Sequence, residues 1–76
     1  MEIRLYSTEH CHLCEQAEAI LRGIGIKAIP VEITGDEGLM ARYGVRIPVL
    51  QRMDTGAELG WPFDAARVLD FLNTSS

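Results

Sequence analysis

The passage that most constrains this chain is Glu2 to Gly25, EIRLYSTEHCHLCEQAEAILRGIG, where a short alternating segment runs straight into a cysteine pair that opens a helical one. Ile3 and Leu5 alternate with polar neighbours, the period of a half-buried strand, and Ser7 and Thr8 end it. From Cys11 to Arg22, apolar side chains recur at Leu13, Cys14, Ala17, Ile20 and Leu21, with Ile24 just beyond; Glu15, Gln16, Glu18 and Arg22 lie opposite. Gly23 and Gly25 then supply a helix C-terminus. Cys11 and Cys14, the only cysteines, therefore fall on the first turn of a helix fed by a strand.

The rest of the chain extends this start. Ile26 to Thr34, IKAIPVEIT, is rich in β-branched residues and predicts a second strand, placed at a sheet edge because Pro30 has no N–H to give to a ladder. Thr34 and Glu37 have the spacing of a capping box, predicting a short helix through Tyr43 with Gly44 as its cap. RIPVLQRM and AELGW flank a turn at Asp54 to Gly56 and predict an antiparallel hairpin. Pro62 suits the first turn of a last helix, with Ala65, Val68, Leu69 and Leu72 on its apolar face; the tail Asn73 to Ser76 is expected to fray.

The order is β-α-β-α-β-β-α. A strand, a crossover helix and a second strand imply a right-handed parallel pair, and the hairpin adds antiparallel strands. The class is thus α/β, a four-stranded mixed sheet flanked by three helices. Seventy-six residues accommodate one domain, residues 1–76. A net charge of -4 argues against nucleic-acid and anionic-membrane partners. No apolar run approaches the ~18 residues of a membrane span, and MEIRLYS lacks a signal-peptide pattern, so the expected setting is cytoplasmic, as a monomer. Reducing thiol pools there disfavour a permanent structural disulfide.

Three readings of the cysteine pair stand side by side. Residues three apart on a helix share a face, so the pair can form a reversible disulfide. Cys11, at the helix N-terminus, would be the nucleophile, because the dipole and unpaired N–H groups favour a thiolate; Cys14, on the apolar stripe, would resolve a mixed disulfide. The second reading is two inert core thiols. The third is a metal, but His10, Cys11, His12 and Cys14 cannot all converge on one tetrahedral centre, and no distant ligand pair exists, so no metal ligands are assigned. His12 either tunes the couple as an imidazolium or is a solvated surface ring; His10 reads as surface. Trp61 and Phe63 read as core, Tyr6 and Tyr43 as packing residues, and Asp36, Glu37 and Asp64 as cap or helix-start charges.

YSTEHCHLCEQAEAIL resembles the active-site segment of glutaredoxins and small glutaredoxin-like proteins, and YGVRIPVL (Tyr43 to Leu50) resembles the thioredoxin-fold segment that carries a cis-proline facing the cysteines. The resemblance spans nearly the whole chain. It implies a thioredoxin-like fold, a thiol-disulfide oxidoreductase in cell redox homeostasis, and a cis Ile47–Pro48 peptide whose backbone pairs with substrate. No bound cofactor is implied; glutathione enters as a candidate co-substrate, and the partner is a disulfide-containing protein or a glutathione mixed disulfide. Arg46, Gly60 and Asp64 are the candidate glutathione-binding residues. The alternative on the same fold is a non-catalytic binding module, or an iron-sulfur or metal carrier using the same cysteines. His12-Leu13 stands where glutaredoxins carry Pro-Tyr, Glu9 and His10 replace a lysine before the site, and GWPFD (Gly60 to Asp64) replaces Gly-Gly-Asp.

Overall fold

The elements fall in the expected order in the computed structural model, which describes residues 2–73: β1 (Ile3–Ser7), α1 (His12–Gly23), β2 (Ile29–Glu32), α2 (Glu37–Tyr43), β3 (Val49–Arg52), β4 (Glu58–Gly60) and α3 (Ala65–Asn73). Beyond Asn73, the tail expected to fray lies outside the described residues. The sheet runs β2-β1-β3-β4. β1 and β2 are parallel, whereas β1 with β3 and β3 with β4 are antiparallel. Pro30 sits on the edge strand, as its missing N–H requires, but that strand is only the Ile29–Glu32 part of the expected segment.

Alternation along the strands separates two cores. Ile3, Leu5, Leu50 and Leu59 face Ala17 and Leu21 of α1, together with Phe63 and with Val68 and Phe71 of α3. Tyr6 and Val49 point the other way, against Ile33 and Tyr43. Each fully buried side chain of the leucine or valine class contributes about 1.5–3 kcal/mol, so the first core supplies most of the apolar stabilisation.

The helix ends show why the boundaries fall where they do. At the end of α1, the Gly25 N–H donates to the Arg22 carbonyl and the Ile26 N–H to the Leu21 carbonyl, a Schellman arrangement, and Gly25 takes the left-handed φ of 74° that it needs. Gly44 after α2 is required for a different reason: a Cβ there would lie 2.5 Å from the Met40 carbonyl oxygen.

Four expectations are corrected. The cap of α2 is Asp36, whose carboxylate accepts from the Leu39 N–H at 3.0 Å; Thr34 instead donates to Glu32. Both residues are competent caps, and the one immediately before the first helical residue holds the position. Pro62 does not open α3: the helix starts at Ala65, after Asp64, whose carboxylate accepts from the Arg67 N–H at 2.8 Å. Val68 is buried as expected, but Phe71 shares that face in place of Leu69 and Leu72, leaving Leu69 exposed and Leu72 half-buried. Leu13, counted on the α1 stripe, is also exposed, while Cys14, Ala17 and Leu21 are buried.

Arg52 ties the hairpin to α3. Its buried guanidinium donates to the Phe71 carbonyl at 2.9 Å and pairs with Asp54 at 2.7 Å, holding the Asp54 carboxyl below its ordinary range.

Candidate functional site

β1 delivers the chain to the site. Beyond Ser7, His10 adopts a left-handed φ of 59°, a conformation that histidine tolerates better than most residues, and this turn directs the chain into α1. Reading His10 as a plain surface residue missed that backbone role. Glu32 clamps the approach: its carboxylate accepts from the Glu9 N–H at 3.1 Å, the Thr34 N–H at 3.0 Å and the Thr34 hydroxyl at 2.8 Å. These bonds, that of the Thr34 backbone foremost, lower the Glu32 carboxyl from 4.5 to about 2.

Cys11 is the N-cap of α1, with extended backbone, and Cys14 lies one turn in. Their Cα atoms are 5.2 Å apart and they are joined as a disulfide. The two sulfurs sit in unequal places, Cys14 only 3 % exposed and Cys11 partly open to solvent. The Cys14 N–H donates to Cys11 Sγ at 3.1 Å. A helix N-terminal N–H aimed at a sulfur stabilises that sulfur as a thiolate once the disulfide is reduced. His12 and Glu15 are largely exposed and approach each other at 3.6 Å, so the imidazole turns toward a carboxylate on the solvent side.

The second part of the site comes from β3. Tyr6 pairs with Val49, so Pro48, one residue earlier in the antiparallel ladder, lies across from Ser7 at the strand end that feeds the cysteines. Pro48 is buried and its peptide with Ile47 is cis. The Pro48 carbonyl accepts from the Trp61 N–H at 3.2 Å, and the Ile47 N–H donates to the Tyr43 carbonyl at 3.1 Å. The Ile47 N–H is therefore taken, and an added substrate strand could use only its carbonyl.

Beside this loop, Tyr6 and Tyr43 stack with ring centroids 4.1 Å apart. The Tyr6 hydroxyl donates to Gln51 and the Tyr43 hydroxyl to Glu58 Oε2, each at 2.5 Å. Burial first, then the Glu58 carboxylate, pushes the Tyr43 hydroxyl well above its ordinary range, so it stays a donor. Glu58 Oε1 accepts from Arg46 at 3.2 Å, and the Arg46 guanidinium lies 5.7 Å from the Tyr43 ring centroid. Arg42 lies over the same ring at 5.9 Å.

Of the candidate glutathione-binding residues, Arg46 is thus engaged by Glu58, and Asp64 caps α3. Gly60 ends β4 opposite Val49, next to the Pro48 segment. Phe63 is in the core as expected; Trp61 packs partly buried against it, edge to face at 5.0 Å. The residue that sequence reasoning missed is Glu58, which looks like any polar position of an alternating strand. Among the described residues, no group of three His, Cys, Asp or Glu side chains could hold a metal ion.

Comparison with known proteins agrees with this geometry. The family model described as Glutaredoxin-like domain (DUF836) matches residues 2–73. Among solved structures, the X-ray structure of the structural-genomics target XcR50 from X. campestris is 40% identical, covering 97% of this chain and 99% of its own, with a TM-score of 0.89. The solution structure of the same target gives 39% identity and a TM-score of 0.87, covering 100% of this chain and 97% of that one. The NMR structure of Ne2328 from Nitrosomonas europaea is 29% identical over 92% of this chain and 88% of its own, with a TM-score of 0.79. No curated protein matches the chain.

Proposed function

From the premise that the chain belongs to the glutaredoxin-like domain family and has a thioredoxin-like fold, we propose that it is a thiol-disulfide oxidoreductase working through Cys11 and Cys14. The observation that carries the reading is the inequality of the two sulfurs: Cys11 caps the helix, partly exposed, with the Cys14 N–H on its sulfur, and Cys14 lies buried beneath it.

The chemistry follows from that inequality. In the reduced protein the Cys11 thiolate attacks one sulfur of a substrate disulfide, whose other sulfur leaves as a thiolate, and a Cys11 mixed disulfide forms. Cys14, losing its proton to solvent, attacks Cys11 Sγ and expels the remaining substrate thiolate. The substrate gains two electrons and the protein is left with the Cys11–Cys14 bond, which a pair of glutathione molecules or a dithiol reductase returns to the dithiol. The substrate is a disulfide-bearing protein or a glutathione mixed disulfide, and the setting is a reducing compartment, as in the cytoplasm.

A trapping experiment tests the division of labour. Reduced Cys14→Ser protein should accumulate a stable mixed disulfide on Cys11 when given a disulfide substrate, seen as the substrate's added mass. Cys11→Ser should accumulate little, because Cys14 is covered. Equal trapping on both variants, or on neither, contradicts the reading and leaves a non-catalytic binding module in its place.

A further inference from the structure

Arg46 is the cation nearest in sequence to the Ile47–Pro48 segment, two residues before the proline that lies across from the strand end feeding Cys11. In isolation it would draw carboxylates to the site. It is not isolated: Glu58 holds Arg46 with one carboxylate oxygen and the Tyr43 hydroxyl with the other. Tyr43 is itself fixed, buried and stacked on Tyr6, so Glu58 is anchored from below and its charge stays beside the guanidinium. Glu58 is also the better covered partner, its side chain 21% exposed against 45% for Arg46, so solvent competes little for its oxygens. Flanking the cysteines in sequence, the exposed ionisable side chains are Glu9, His10, His12 and Glu15, with His12 facing Glu15, and Arg42 is a second exposed cation over the Tyr43 ring.

We infer that Glu58 sets the charge preference of the site: by neutralising Arg46 it disfavours anionic disulfides such as that of glutathione and favours neutral or cationic ones, as on a basic protein surface. The inference rests on the disulfide-exchange reading above and concerns which substrates that exchange selects. Glu58 acts through Arg46 and touches no reacting atom, so it is a positioning residue.

Three small disulfides that differ in charge serve as probes: oxidised glutathione, anionic; bis-hydroxyethyl disulfide, neutral; cystamine, cationic. Rate constants for a single exchange with the reduced protein are measured at low and high salt, and each charged probe is expressed as a ratio to the neutral one, which cancels any general change in Cys11 reactivity. The wild-type protein should prefer cystamine to oxidised glutathione. Glu58→Gln keeps an acceptor for Tyr43 but frees the Arg46 charge; it should raise the oxidised-glutathione ratio about fivefold at low salt and lower the cystamine ratio, with the effect shrinking as salt screens it. Arg46→Gln in the wild-type background leaves Glu58 uncompensated and should move both ratios the opposite way, which tests the inference even if Glu58→Gln folds poorly. The double variant should return toward wild type.

Ratios that do not move, or that move alike for both charged probes, overturn the role of Glu58 while leaving the exchange reading intact. Exchange with none of the three disulfides overturns both.

Discussion

On the face covered by α1 and α3, the sheet contributes Ile3, Leu5, Leu50 and Leu59, which pack on apolar side chains, and the buried Arg52, which donates to the Phe71 carbonyl. On the opposite face it contributes Tyr6 and Val49, and the tyrosines there send their hydroxyls to Gln51 and Glu58. The first face is an aliphatic core, non-directional and tolerant of any side chains of the right volume. The second is smaller and directional, since a stacked pair of rings, a neutral bond to Gln51 and a charge-assisted bond to Glu58 fix where the Tyr43 to Pro48 loop runs. Stability is concentrated on one side of the sheet and placement of the Tyr43 to Pro48 loop on the other.

The largest expected effect comes from the aliphatic side. Leu50→Ala should cost about 2–5 kcal/mol in denaturant unfolding, because Leu50 is fully closed in and its neighbours cannot collapse far. The folded fraction should still exchange disulfides at the wild-type rate; a lost rate would mean that the aliphatic core also positions the cysteines. Tyr43→Phe should cost only about 1 kcal/mol, the net value of one hydrogen bond, yet change the charge ratios among probe disulfides, because Glu58 loses its anchor. If Tyr43→Phe proves as costly as Leu50→Ala with unchanged ratios, the distinction between the faces collapses.

The smallest effect concerns the loop that leads to Cys11. Glu32 has its carboxyl depressed from 4.5 to about 2 in the folded protein, so the stability it contributes is complete above about 4.5 and is lost as pH falls through about 2. Glu32→Gln should therefore melt below wild type at about pH 6 and converge with it in strong acid. A constant gap across that range would show that the bonds to Glu9 and Thr34 do not depend on the charge.

Much of this was legible in the chain because it is local. Alternation at Ile3 and Leu5, the stripe through Ala17 and Leu21, the hairpin turn and the edge-seeking Pro30 each depend on a few neighbouring residues, and the unequal burial of Cys11 and Cys14 follows from their places on one helical turn. The errors arose where two local rules competed: Thr34 and Asp36 both cap well, and Pro62 suits a helix start as readily as the loop it occupies. A displaced start of α3 then hid Phe71, since a helix face read from the wrong first residue selects the wrong side chains. The Glu58 clamp was out of reach for another reason. Its partners Tyr43 and Arg46 are 15 and 12 residues away, and only the fold brings them together.

Whether Cys11 and Cys14 form a reversible couple is read from a redox titration of the pair, followed by the mass of alkylated thiols against glutathione buffers. One cooperative two-electron transition is expected, between about -120 and -300 mV, lost in both Cys11→Ser and Cys14→Ser. A pair that stays oxidised or stays reduced across that whole range would contradict it.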